Sequence, residues 1–222
     1  DPLATRPQRA LSWLKSTLVL PFLEFRNRPH WWGVLAFVVL YRFPDSFLAV
    51  MANVFYKDMG LTNTEIAAVS KTFGAGATIF GIFVGGLVVH RLGAMRGLLV
   101  CGFVQVFSNL MYVWMAQAGS SIPVFAMTIA VENISGGMGG TAFIGYMSTL
   151  CSPGYAGTQY AMLSALALSG RNVFSTITGI VADQVGWTWF FITSTAVGIP
   201  GLLILVWLMR NTPAESSEPV AP

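Results

Sequence analysis

The chain has 222 residues, of which 55% are hydrophobic and only 9% charged, with a formal net charge of +3. Such a composition excludes an ordinary soluble domain and predicts a membrane protein of several spans. The basic residues are scattered among apolar runs, which excludes the concentrated positive face that nucleic acid requires.

At roughly 20 residues per crossing, the hydrophobic runs leave room for about six helical spans and no sizeable soluble domain. Residues 1–30 come first as a cytoplasmic linker. Within it the stretch from Leu11 to Phe25, interrupted by Pro21 and Glu24, predicts an amphipathic helix lying on the membrane surface. Spans are predicted at Trp31 to Phe55, Ile66 to Val89, Gly97 to Ala118, Ile122 to Leu150, Gln159 to Ala182 and Trp187 to Met209, within a bundle covering residues 31–210. The connections are short, the last being only "DQVG" before Trp187. Residues 211–222 are polar and proline-rich and read as a disordered cytoplasmic tail. With the amino-terminal side inside, the inner flanks collect Arg28, Arg91, Arg96 and Arg210 while the outer loops hold Lys57, so the positive-inside rule places both termini in the cytoplasm. The two cysteines, Cys101 and Cys151, lack metal-ligand spacing and read as reduced packing residues; no cofactor is called for.

Inside the predicted spans lie Arg42, Asp45, Lys71, Glu132 and Arg171. An ionisable side chain at the bilayer centre costs roughly 2.5 to 3.5 kcal/mol, so five facing lipid would cost on the order of 12 to 17 kcal/mol. They are therefore expected to face inward, toward partners or water. Arg42 and Asp45 are three residues apart on one face, with Pro44 between them set to kink the helix. Arg171, Ser175 and Thr178 form a second polar stripe, extended back by Ser164. Buried ion pairs that merely staple helices together are the plain alternative. Against it, the cations outnumber the anions, and an excess of positive charge suits an anionic ligand.

In "VENISGGMGGTAFIGYM", Glu132, Gly136 and Gly140 recur every four residues on one face, with Asn133 and Gly137 beside it. Glycines at Gly81 and Gly85 read as close-packing positions. For Gly136, Gly137 and Gly140 a pliable segment beside a titratable carboxylate is expected. The third span carries Gln105, Asn109 and Tyr112 without charge, for which interhelical hydrogen bonds are the simpler reading. The sixth has only Thr, Ser and a proline as polar marks and reads as lipid-facing. No His-Glu-x-x-His, Gly-x-Ser-x-Gly or paired acidic motif supports a membrane-embedded enzyme.

The loop "GGLVVHRLGAMRG", with Gly86, Arg91, Gly93 and Arg96, resembles the cytoplasmic signature of the major facilitator superfamily, although His90 stands where that pattern has Asp. The resemblance sharpens in "YRFPDSF", "GLTNTEIAAVSKTFG", "FVQVFSNLMY", "VENISGGMGGTAFIGYMSTLC" and "GTQYAMLSALALSGR", which look like the carboxy-terminal half of the AmpG-type muropeptide permeases. The resemblance implies an all-α membrane protein whose six transmembrane helices form one half of a major-facilitator fold, packing around a central cavity against an amino-terminal six-helix half. It implies proton-coupled import of anhydromuropeptides, anionic sugar-peptides from cell-wall breakdown, across the bacterial inner membrane. A related permease for another anion, such as acetyl-coenzyme A, is the alternative. By matching position, Arg42, Lys71 and Arg171 would receive substrate carboxylates, and Gln105, Asn109 and Asn133 would meet hydroxyls or amides. Asp45 and Glu132 would couple protons. Gly86, Arg91, Gly93, Arg96, Gly136, Gly137, Gly140 and Gln159 would serve gating or conformational change.

Overall fold

The computed structural model describes residues 19–119 and 121–211, with the side chains of residues 46, 47 and 170–184 outside that description. Among the described residues the chain is all-helical. A short α1 (Leu20–Arg26) precedes α2 (Trp31–Tyr41) and α3 (Phe43–Asp58); α4 (Asn63–Val69) runs through a π-helical turn (Ser70–Gly74) into α5 (Ala75–Leu92). Then come α6 (Ala94–Ser108), α7 (Leu110–Ala118), α8 (Ile122–Thr149) and α9 (Ala156–Asn211). The predicted surface helix is seen only in its last part, since residues 11–18 lie outside the described residues, as does the tail beyond residue 211.

Four helical segments are long and apolar enough to cross a membrane: Trp31–Asp58, Asn63–Leu92, Ala94–Ala118 and Val185–Asn211. The 28 residues of α8 are equally long, about 42 Å at 1.5 Å per residue, but Glu132, Asn133 and the glycines make it less apolar. Local chemistry sets the ends. Thr62 and Glu65 form a reciprocal capping box at the start of α4, with Thr62 N donating to Glu65 Oε2 at 2.8 Å. Ser121 caps α8, with Pro123 in its first turn. Gly93 stops α5 at φ 79°, a backbone conformation that only glycine takes without strain.

Two expected boundaries differ. The "DQVG" connection is absent as a loop: α9 stays helical up to Gly186, which alone breaks it at φ 72° and ψ 163°. One left-handed-side residue turns the chain where a four-residue linker was expected. The predicted third span is interrupted at Asn109, between α6 and α7.

The sixth span, read as lipid-facing, has one packed and one exposed face. Its segment of α9 buries Phe190, Phe191, Ser194, Thr195, Leu202, Leu205 and Leu208. Glycines let it approach: a Cβ at Gly201 would lie 3.3 Å from the Leu40 carbonyl carbon, and one at Gly198 would lie 3.0 Å from Pro44 Cγ. It therefore packs on the α2–α3 junction, keeping only its other face, with Trp189, Ile199 and Leu203, exposed.

The apolar interior divides in two. One cluster gathers Phe37, Val38, Tyr41, Leu98, Phe143, Tyr146, Leu205 and Leu208; the other gathers Leu48, Phe55, Tyr56, Tyr112, Phe125, Phe190 and Phe191. Between the two clusters lie the polar residues Arg42 and Asp45, Gln105, Ser108 and Asn109, Glu132, Asn133 and Ser135, and Ser194. The fold thus holds a polar belt at mid-length between two greasy ends. A closed apolar core would otherwise exclude such groups, because each unpaired one costs several kcal/mol in hydrocarbon.

Candidate functional site

The belt begins at the α2–α3 junction. The helix breaks at Arg42, and Pro44 falls in the first turn of α3, where its missing N–H costs nothing. Arg42 Nη1 pairs with Asp45 Oδ2 at 3.2 Å, and the guanidinium lies over the Phe143 ring, 5.4 Å from its centroid. Gln105 Nε2 donates to Asp45 Oδ1 at 2.5 Å. The Gln105 carboxamide fits the notch left by Gly139, where any Cβ would collide with Oε1. Tyr41 donates weakly to Gln105 Oε1 at 3.5 Å and to the Gly139 carbonyl at 3.3 Å. Asp45 is thereby held by a cation on one side and an amide on the other.

Glu132 sits across the belt on α8. Asn133 Nδ2 donates to its Oε2 at 3.2 Å and to the Ile129 carbonyl at 2.8 Å, while Thr78 Oγ1 meets Asn133 Oδ1 at 2.9 Å. Among the described residues Glu132 forms no ion pair. It opens instead onto a cleft of about 370 Å³ lined by Thr78, Ile82, Glu132, Asn133, Gly136, Gly137, Gly140, Thr141 and Ile144. That volume is at the small end of ligand pockets, and the cleft is open on one side.

The glycines of α8 fall into two sets. A Cβ at Gly137 would lie 2.6 Å from the Thr78 carbonyl oxygen, and one at Gly85 would lie 2.7 Å from Met138 Cα, so the α5–α8 crossing has backbone against backbone. Gly81 packs likewise on Ile134. Gly136 and Gly140 meet nothing within 4 Å and pave the cleft instead.

The other predicted residues are placed as follows. Lys71 is exposed on the π-helical turn and is not among the cleft residues. Asn109 is buried and donates to Ser194 Oγ at 3.2 Å, behind the cleft. The side chain of Arg171, with those of Ser175 and Thr178, lies outside the described residues. Gly86, Arg91, Gly93 and Arg96 cluster at the α5–α6 turn, where both arginines are exposed. Gln159 is buried at the start of α9, accepting from Ser152 N at 2.7 Å and donating to the Pro21 carbonyl at 3.1 Å, so it ties α1 to the α8–α9 turn. Arg28 reinforces that tie by donating to Ser152 Oγ at 2.7 Å. Nearby, burial pushes the Cys151 thiol up, with Arg28 opposing.

Thr78, Thr141, Tyr41 and Tyr56 were not singled out from sequence. Thr78 lies four residues after Gly74, within a helix otherwise apolar on that side, and its lone hydroxyl was the available signal. The two tyrosines read as ordinary apolar-run aromatics until their hydroxyls find partners.

Residues 34–221 match the Major Facilitator Superfamily. The chain is similar to the "Putative transporter AmpG 4" of Rickettsia conorii, 34% identical over 197 residues that make up 89% of this chain and 47% of that protein. It is equally similar to the "Anhydromuropeptide permease" of Escherichia coli K12, 34% identical over 194 residues, 87% of this chain and 40% of the relative. The chain thus spans about half the length of the curated relatives it matches.

Proposed function

We propose, because this chain belongs to the major facilitator superfamily, that it works not as an enzyme but as the carboxy-terminal half of a proton-coupled permease importing anhydromuropeptides across a bacterial inner membrane. The name of the Escherichia coli relative supplies the substrate class, and the 40% of that relative that the match covers fits a half. In this reading residues 31–210 form six spans, with the segments of α9 on either side of Gly186 as the fifth and sixth. Residues 1–30 and 211–222 face the cytoplasm, following the bias of Lys and Arg.

The observation that carries the proposal is the open cleft beside Glu132, with the Asp45–Arg42 ion pair elsewhere in the polar belt. A carboxylate bordering water at mid-depth, without a bonded cation among the described residues, is free to exchange protons as access alternates. Asn133, Thr78 and Thr141 are the cleft side chains suited to sugar hydroxyls and amides. Gln105 and Asn109 act one layer back, holding Asp45 and Ser194. Arg42, Lys71 and Arg171 supply positive charge for peptide carboxylates, and the amino-terminal half supplies the facing wall. The Gly86–Arg96 turn and the Gln159 tie serve as cytoplasmic conformational elements.

The test is uptake by the full-length protein in proteoliposomes with an inward proton gradient. Gradient-dependent accumulation of a labelled anhydromuropeptide, outcompeting acetyl-coenzyme A, supports the reading. Accumulation of acetyl-coenzyme A instead, or no gradient dependence, overturns the substrate or the coupling respectively.

A further inference from the structure

The short helix ahead of the first span leaves a groove that the bundle does not fill. α1 packs on the start of α9 and on α2, and between the three lies a partly enclosed hollow of about 200 Å³. Its walls are Pro21, Phe22 and Phe25 of α1, Leu35 of α2, and Met162 and Leu166 of α9. Among the described residues lining it only Gln159 is polar, and that amide is engaged on both sides, with Ser152 N and with the Pro21 carbonyl. The hollow therefore offers an occupant surface but no free hydrogen bond, which disfavours a sugar or a peptide and suits hydrocarbon. An apolar cavity of about 150 Å³ already admits benzene, so a stretch of acyl chain fits here.

Charge marks the same corner. α1 ends at Arg26, shortly before the first long apolar segment begins at Trp31, so the groove lies where the bundle meets the lipid headgroups. Leu20, Phe22 and Leu23 stay exposed along α1. Arg26 is exposed; Arg28 is half-buried, its guanidinium 5.9 Å from the centroid of the groove-lining Phe25 ring and its Nη2 donating to Ser152 Oγ at 2.7 Å. A guanidinium carries five N–H donors in a planar fork, so the Ser152 bond leaves Arg28 able to hold a phosphate oxygen as well. The acid of α1, Glu24, has its Oε2 buried rather than presented at the surface.

We propose that this corner is a binding site for one anionic diacyl phospholipid, with an acyl chain in the groove and the phosphate against Arg26 and Arg28. The tail is selected by the apolar walls and the headgroup by the two arginines, since basic residues at a membrane surface favour anionic over zwitterionic lipid. Bound there, the lipid braces α1 against α9 beside the Gln159–Pro21 tie. The inference is independent of the cargo and of proton coupling.

The experiment places the photo-reactive residue p-benzoylphenylalanine at position 22 of the full-length protein, in vesicles of mixed phosphatidylethanolamine and phosphatidylglycerol, and identifies the cross-linked lipid by mass spectrometry. The same residue at position 168, where Leu168 is 58% exposed on α9 and lies outside the groove, reports the surrounding bilayer. Adducts at position 22 are expected to be enriched in phosphatidylglycerol, and those at position 168 to follow the bulk composition. Arg26→Gln leaves the Ser152 bond in place and is expected to lower the enrichment about fivefold. Leu166→Trp fills the groove and is expected to abolish it. If Leu166→Trp does not accumulate, native mass spectrometry of the unaltered protein reads the same site: one phosphatidylglycerol is expected to survive detergent that strips phosphatidylethanolamine. Adducts at position 22 of bulk composition, no lipid adduct there because protein occupies the groove, or enrichment untouched by Arg26→Gln would each overturn the proposal.

Discussion

Gly137→Ala and Gly136→Ala differ by one position on α8 and are expected to behave oppositely. A Cβ at Gly137 would stand 2.6 Å from the Thr78 carbonyl oxygen and 2.9 Å from the Ile82 nitrogen. Both belong to the α5 backbone, so no side-chain rotation relieves the contact. Carbon atoms rest at about 3.5 Å or more, so the helices must part by about 1 Å. Overpacking of this kind costs about 1 to 3 kcal/mol, and rigid backbone neighbours put it at the upper end. The alanine returns up to about 1 kcal/mol of helix propensity, leaving a net loss of about 2 kcal/mol. For a chain of this size that is a fall in Tm of about 4 to 8 °C. Gly136→Ala keeps the propensity gain and meets nothing within 4 Å, so its Tm is expected to hold or rise. Thermal unfolding of the purified full-length protein in detergent, followed by a thiol-reactive dye or tryptophan fluorescence, measures both. Equal melting of the two variants would refute the assignment of Gly137 to the helix crossing and Gly136 to the cleft.

Three further outcomes follow from the same contacts. Gln105→Leu strips the amide from Asp45 Oδ1 and is expected to cost about 1 to 3 kcal/mol in unfolding experiments, because a hydrogen bond to a charged group is lost in a buried setting. Gln159→Leu frees the Pro21 carbonyl and the Ser152 N–H, so limited proteolysis should cut ahead of α2 faster than in the unaltered protein while the bundle stays intact. Cys151 reacts only as thiolate, and its pKa is raised by burial. Its maleimide labelling is therefore expected to be slower than that of a free thiol at neutral pH and to keep rising as pH passes the ordinary thiol range. Arg28→Ala, removing the cation that opposes the shift, slows labelling further at fixed pH.

Four of the six spans were legible because apolar run length in a bilayer is a one-dimensional property. So was the polar belt: Arg42, Asp45 and Glu132 announce themselves by the cost of placing charge in oil. The cleft paving was not, since Gly136, Gly137 and Gly140 are the same residue in one run and only the neighbouring helix distinguishes them. Lys71 carries the same signal as Arg42 but lies exposed on the π-helical turn, where an added residue per turn shifts the helix face that a regular period would assign. Gln105 reads equally well as a ligand contact or an interhelical bond, and its pairing with Asp45 depends on the Gly139 notch, far away in sequence. The burial of the sixth segment depends on Gly198 and Gly201 meeting the α2–α3 junction, which hydropathy does not see.

The central claim is that the Glu132 cleft is a wet route for the substrate. Gly140→Cys, in a full-length protein with Cys101 and Cys151 replaced by serine, puts a thiol at a position with open space around it. In sealed membrane vesicles a membrane-impermeant thiol reagent is expected to label it, and excess anhydromuropeptide to slow that labelling. Labelling only after denaturation, or labelling that the substrate leaves unchanged, would contradict the account.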